Sequence, residues 1–357
     1  MKLISSFLTL LFFFLSAYNI NAQEANSVAS KLTDSLSANG YYQSGNDYYK
    51  GNGVNQSNEK AFLFFKKAAE MGNSRGQYAL GYMYAEGIYV QQNYTKALEW
   101  FKKSEAQNNI KALNYLVHMY LNGIGVDQND NIAFAYLKKL SDLGNVQAMY
   151  NVGLMYKLGK GVDENLDKAI SILITVAKGD LSSFNKKDEL YSHIFRSSIF
   201  KENTRKYVFD FIDYMKLNKP NEIDSNFTLF ESEFYYNLGL IENNKENYVE
   251  ATKLYKKAID TYPENENANF NMATLMVSLD QIIVEEMNNL GTTEADDLEY
   301  EKLKLKRKKL LESAIPYYEK VMSINGNLKK DAINSLINIY SALKDSDKVN
   351  EMKKLLD

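Results

Sequence analysis

The stretch Asn122–Asp130 reads NGIGVDQND, and the Gly-x-Gly inside it admits two readings: a loop that cradles a phosphate, or a turn between two helices. The rest of the chain decides between them. GIGV at Gly123 has three relatives, GNGV at Gly51, GIYV at Gly87 and GKGV at Gly159, so the first glycine recurs at 51, 87, 123 and 159, every 36 residues. Tyr48, Tyr84, Tyr120 and Tyr156 precede the turn at the same step, and Val54, Val90, Val126 and Val162 follow it. A phosphate loop has no physical reason to recur four times in register. A turn in a helical repeat does.

The residues between the turns explain the period. Ser57, Asn93, Asn129 and Asn165 share one repeat position and are all N-cap types, whose side-chain oxygen accepts from an orphan helix N–H. Glu59 and Asp167 follow in two of the first turns, where the helix dipole favours an acid. The helix after each turn carries an i, i+3, i+4, i+7 apolar stripe, for example Ala61/Phe64/Phe65/Ala68 and Ala97/Trp100/Phe101/Ser104. The helix before it carries a matching stripe, such as Gln77/Leu80/Gly81/Tyr84. Alanines at 61, 97, 133 and 169 and glycines at 45, 81 and 153 let paired helices approach closely, so bulk there overpacks the contact by about 1–3 kcal/mol. Gly72 and Gly144 suit left-handed helix ends. The first turn position is always Gly, which predicts φ > 0; the second is Gly53, Tyr89, Gly125 and Gly161, and its tolerance of Tyr predicts no such need.

These residues, in ALGYMYAEGIYV…YTKALEWFKKSEAQN and MYNVGLMYKLGKGVDENLDKAI, resemble the Sel-one-like repeat, a helix–turn–helix cousin of the tetratricopeptide repeat. The resemblance covers residues 37–180 in four units and implies an all-α, right-handed α-solenoid. After Asp180 the period stops; residues 181–228 read as a connecting helix pair, near Lys186–Phe200 and Thr204–Leu217. From 229 to 357 the chain resembles tetratricopeptide repeats, carried by Tyr235, Leu238, Gly239, Ala251, Tyr255, Ala258 and Pro263, then Met272, Ala273, Ala314 and Tyr318, then Ile337, Tyr340 and Val349. Ala251 and Ala314 are 63 residues apart, where that family spaces such alanines by 34. The excess predicts an extended helical hairpin over about 266–324, with its tip near Asn289–Thr293 and arms of roughly 38 Å. The run KLKLKRKK in its second arm follows EADDLEYE, and reads as a solvated helix face with acids first and bases later.

The N-terminus, MKLISSFLTLLFFFLSAYNINAQ, has a basic Lys2, an apolar run over Leu3–Ala17 and a small-residue site before Gln23. This is the pattern of a secretory signal peptide over residues 1–22, followed by a linker over 23–36; an uncleaved anchor is the alternative. With no cysteine in 357 residues, a lipidated N-terminal Cys, disulfides and thiolate metal sites are excluded. The expected setting is the periplasm or the extracellular space, with no membrane span after cleavage.

A net charge of −3 gives no overall positive field to draw in nucleic acid. The two histidines, His118 and His193, lie in different helical units, and no HExxH, GxSxG, phosphate-loop or EF-hand motif is present. No cofactor or metal is expected. Some cysteine-rich Sel-one-like proteins have been associated with β-lactam binding, but this chain lacks their disulfides and any Ser/Lys nucleophile motif. The reading is a non-enzymatic scaffold for protein or peptide partners; an envelope hydrolase acting on peptidoglycan or β-lactam, and a glycan-binding module, are the alternatives.

A variable stripe runs beside each first-helix core stripe: Tyr42/Asn46, Tyr78/Tyr82, Asn114/His118 and Tyr150/Leu154. Tyr and Asn suit adaptable contacts, since Tyr offers a large area at low entropy cost. The same positions also suit half-buried packing between helices. In the second half the resemblance places Tyr236, Phe270, Asn334 and Asn338 along that family's groove. A carboxylate clamp of the kind some relatives use would need Lys at Tyr236 and Asn at Leu240, and is absent.

Overall fold

Eight short helices make up the periodic part of the chain, and a computed structural model describes residues 36–356 except Ser183, Phe200 and Asn325. The expected signal peptide over 1–22, and the linker after it except residue 36, lie outside the described residues. The helices form consecutive pairs: α1 (Ala38–Lys50) with α2 (Asn58–Glu70), α3 (Ser74–Glu86) with α4 (Tyr94–Glu105), α5 (Ile110–Asn122) with α6 (Asp130–Asp142), and α7 (Val146–Leu158) with α8 (Leu166–Lys178). Every second helix opens on its expected cap. Ser57 Oγ accepts from the Lys60 N–H at 3.3 Å, and Asn93, Asn129 and Asn165 Oδ1 accept from Lys96, Ile132 and Lys168 at 2.9, 3.0 and 2.9 Å. The first helices have a cap series of their own, Ser37, Asn73, Asn109 and Asn145, which the sequence reading passed over.

The turn within each pair is closed by one repeated backbone bond. The N–H groups of Ser57, Asn93, Asn129 and Asn165 donate to the carbonyls of Tyr48, Tyr84, Tyr120 and Tyr156 at 2.9, 2.8, 2.8 and 2.8 Å. The first turn glycines are left-handed as expected, with φ of 72, 68, 68 and 63° at Gly51, Gly87, Gly123 and Gly159. The expectation for the second position fails. Tyr89 has φ 65°, alongside 74, 67 and 70° at Gly53, Gly125 and Gly161, so all four turns need a left-handed residue there. Tyr89 keeps that conformation because its side chain is held: its hydroxyl donates to Glu59 Oε1 at 3.2 Å and its ring lies 5.6 Å from that of Phe62. Between units, Gly72 and Gly144 are left-handed, and Asn108 takes the same conformation at the same step.

Pairs pack through a reciprocal exchange of volume. A Cβ on Gly45 would fall 2.6 Å from the Phe65 ring, and one on Gly81 2.8 Å from that of Phe101. In the third pair the corresponding residues are Val117 and Leu137, which meet in one core cluster. Small faces large twice; medium faces medium once. The alanines at 61, 97, 133 and 169 are fully buried.

The chain divides into two compact units, with the boundary between Ile172 and Leu173, inside α8. The second unit contains α9 (Lys187–Ser197), α10 (Glu202–Asn218), a 3-10 turn at Pro220–Glu222, α11 (Ser225–Asn244), α12 (Tyr248–Thr261), α13 (Glu266–Asn288), α14 (Glu294–Ser323), α15 (Lys329–Ala342) and α16 (Ser346–Lys353). Phe195, Phe211, Phe227 and Phe234 interlock at its start. The glycine–aromatic exchange recurs: a Cβ on Gly239 would fall 2.7 Å from the Tyr255 ring. Helices α13 and α14, of 23 and 30 residues, form a hairpin that turns at 289–293, where Thr293 and Asp296 make a capping box. Asp280 on α13 is buried and receives Arg307 Nε of α14 at 3.0 Å.

The turn geometry orders three substitutions. Gly53→Ala meets open space and carries only the left-handed penalty, about 1–2 kcal/mol. Gly125→Ala would place its Cβ 2.1 Å from that of Tyr94, and Gly161→Ala 2.2 Å from the Asp130 carbonyl oxygen. Both should lower the urea-unfolding midpoint well beyond Gly53→Ala, and equal effects at all three positions would refute this account of the turn.

Candidate protein-interaction face

The first helices of the first three units carry the variable stripe on neighbouring faces, and the glycine–aromatic exchange sets what lies beneath it. Because Gly81 has no side chain, Phe101 of α4 reaches across it and stacks on Tyr115 of α5, with ring centroids 4.9 Å apart. Tyr78 lies 6.0 Å from Phe101 and 6.0 Å from Tyr115, and Tyr82 meets Tyr115 edge-on at 5.8 Å. The Tyr115 hydroxyl donates to Glu86 Oε1 at 3.0 Å. Lys111 Nζ sits 5.8 Å from the Tyr78 ring centroid. On α1, Tyr42 packs at 5.9 Å from Phe65.

The structure therefore gathers Tyr78 and Tyr82 into one aromatic platform, half-buried, with Asn114 and His118 exposed beside it on α5. Tyr42 and Asn46 are half-buried on α1. Tyr150 is a correction: it is fully buried, so no partner can reach it. Repeat register fixes which side of its helix it occupies, but not what covers that side. In the second unit Tyr236 accepts from Asn271 Nδ2 at 2.9 Å and Phe270 meets Tyr318 edge-on at 5.4 Å, so both join helices together. Asn334 and Asn338 are exposed on α15, one turn apart.

Sequence reasoning missed Tyr115 and Glu86, the residues that bind the platform together. Tyr115 shares its repeat position with Gln43, Ala79 and Asn151, and that variability was the available signal. Asn114, Tyr115 and His118 line a cleft of about 340 Å³ together with Glu86 and Tyr94. Glu86 receives the Tyr115 phenol there. Among the described residues no group of three or more His, Asp or Glu side chains is placed to hold a metal ion.

The phenols on this face are poised to stay neutral. Burial raises Tyr115 above the ordinary tyrosine value of 10.0, and its hydrogen bond to Glu86 and the charge of that carboxylate push it further. Burial also raises Tyr78, with neighbouring Tyr82 adding to the effect, and raises Tyr82 with help from Tyr49 and Glu86. The phenols therefore stay uncharged to higher pH than a free tyrosine, on an amphipathic surface edged by Glu86, Asn114 and His118.

The family model for the Sel1 repeat matches residues 38–73, 74–109, 110–145, 146–174 and 232–260. The chain carries Sel1 repeats. Four matches lie in the periodic part, and the fifth falls on the α11–α12 pair that by sequence resembles a tetratricopeptide repeat. Among solved structures, a Sel1 repeat protein from Oxalobacter formigenes is 25% identical over 57% of this chain and 80% of that one, with a TM-score of 0.43. The protective antigen c5321 of uropathogenic Escherichia coli, which displays an SLR fold, is 18% identical over 90% of this chain and 73% of its own, with a TM-score of 0.39. No curated protein matches the chain in sequence.

A raised folded-state tyrosine pKa stabilises the Sel1 units while the phenol is neutral in both states, below pH 10.0, and that contribution fades as pH climbs from there through the higher folded values. Stability should therefore drop above about pH 10, and less steeply in Tyr115→Phe. An identical alkaline profile for that variant, followed by circular dichroism, would contradict the assignment.

Proposed function

We propose that this Sel1-repeat chain is a non-enzymatic, exported scaffold that binds a protein or peptide of the cell envelope along the first-helix face of its repeats. The observation that carries the reading is the platform of Tyr78, Tyr82 and Tyr115 with Asn114 and His118 exposed beside it. Such rings bring large area and little rotamer entropy to a contact, and their hydroxyls and the flanking amide adapt to polar groups on a partner. Repeats of paired helices present surfaces of this kind to other proteins. Export is supported by the signal-like residues 1–22 and the absence of cysteine. Among the described residues no helix is long and apolar enough to cross a membrane.

One observation favours a second reading, an envelope hydrolase: His118, Tyr115 and Glu86 line the same cleft. Against it, Glu86 is engaged with the Tyr115 phenol and makes no hydrogen bond to the His118 imidazole in this structure, so the base lacks an orienting partner there.

Three measurements test the proposal. A photo-crosslinking residue at Asn114 or His118 should capture a protein partner in producing cells, whereas one at Lys66, on the exposed side of α2, should not; Tyr82→Ala should weaken capture roughly tenfold. Turnover of a peptidoglycan or β-lactam substrate that is lost in His118→Ala would establish the hydrolase instead. The mature chain should begin at Gln23 by mass spectrometry of the cell-envelope fraction, and an intact Met1 would favour the anchor.

A further inference from the structure

Helix α14 carries a charge pattern that neither its own dipole nor its packing explains. Residues Glu294–Lys309 read EADDLEYEKLKLKRKK. All five acids fall in the first half and all six bases in the second. The dipole favours acids only in the first turn and bases only in the last, yet α14 runs on to Ser323, so the basic block sits in mid-helix. Reflected about the junction of Glu301 and Lys302, every acid falls on a base: Glu301 on Lys302, Asp297 on Lys306, Glu294 on Lys309. The same reflection places Leu298 on Leu305. These two leucines are seven residues apart, hence on one face, and they are 62% and 53% exposed. The opposite side of the helix is engaged with α13, where Leu303 is buried and Arg307 holds Asp280. An outward leucine pair, centred on a point of charge inversion, is left uncovered.

We propose that α14 pairs antiparallel with α14 of a second copy of this chain, about a two-fold axis at the Glu301–Lys302 junction. An isologous interface must be self-complementary, each patch meeting its own copy reversed. This segment meets that requirement in both terms: the acidic block of one copy lies along the basic block of the other, and Leu298 of each copy meets Leu305 of its mate. The intrahelical pairs Glu299–Lys302 and Glu301–Lys304, at 3.0 and 2.8 Å, are solvent-exposed and therefore weak competitors. Sixteen residues span only about 24 Å, less than a standard interface, so the association is weak and salt-sensitive. This inference does not rest on the tyrosine platform, which lies in the other unit.

Sedimentation velocity on the full-length protein purified from producing cells should show a concentration-dependent dimer at low ionic strength, weakened at least roughly tenfold on raising salt from about 50 to 500 mM. Two charge-swapped variants sharpen the test: E294K/D297K/E301K and K302E/K306E/K309E, which leave Asp296 of the capping box and Arg307 untouched. Each alone should be monomeric with an unchanged helical circular dichroism signal, and an equimolar mixture should recover the dimer. Since the chain has no cysteine, Lys302→Cys should also form a disulfide-linked dimer on oxidation, and Lys253→Cys on α12 should not. The proposal is overturned by a monomeric parent at low salt, by variants that dimerise as the parent does, or by a mixture that stays monomeric. It is equally overturned if a different protein crosslinks through Leu298 and Leu305 while the chain remains a monomer.

Discussion

A helix of 13 residues is close to the shortest that persists in water, and almost every helix of the periodic part has that length. Each must therefore bury a face against its neighbours, and the turn between them decides which face. Two left-handed residues and the bond from each N-cap N–H to the tyrosine carbonyl nine residues earlier fix the reversal in every unit. Once that turn is set, the apolar stripes of the two helices meet in register and the next unit begins 36 residues on. The repeat is a consequence of the turn. Tyr89 shows how firmly the turn is imposed, because a bulky residue adopts the left-handed conformation there and is anchored by Glu59 and Phe62.

Close approach within a pair has a second effect, on the surface. Where a first helix has glycine, the aromatic ring of the second helix packs across it and, still buried, supports the residues above. Phe101 does so across Gly81, and Tyr115 stacks on it. The tyrosines of the platform are thus held by the core rather than merely displayed above it. Burial, the hydrogen bond to Glu86 and the charge of that carboxylate all oppose ionisation of the Tyr115 phenol.

The second unit solves its electrostatics differently. Its hairpin pairs the buried Asp280 with Arg307 between α13 and α14, and over Glu294–Lys309 the other charges of α14 are sorted by sign along the helix. Sorting charges by sign sacrifices some of the local pairing that mixed charges would give on a single helix, and makes the helix complementary to its own reverse. The two units therefore present chemically distinct faces, one aromatic, the other leucine-bearing and polarised by charge.

The sequence by itself determined the helical class, the four-unit register, the caps of the second helices and the left-handed first glycine, because each depends on residues within one turn or one period. The glycine–aromatic exchange was legible only in part: small residues at 45, 81 and 153 announced close helix contact, but not that Phe101 would pass beneath Tyr115. Three things were decided by tertiary structure alone. Tyr89 is tolerated at the left-handed turn position because Glu59 and Phe62 of α2 hold its side chain; Tyr150 is core because its neighbours enclose it; and Tyr115 with Glu86 completes the platform because α3 and α5 lie side by side. Each depends on what neighbouring helices place around a residue, and periodicity along one chain carries no record of that.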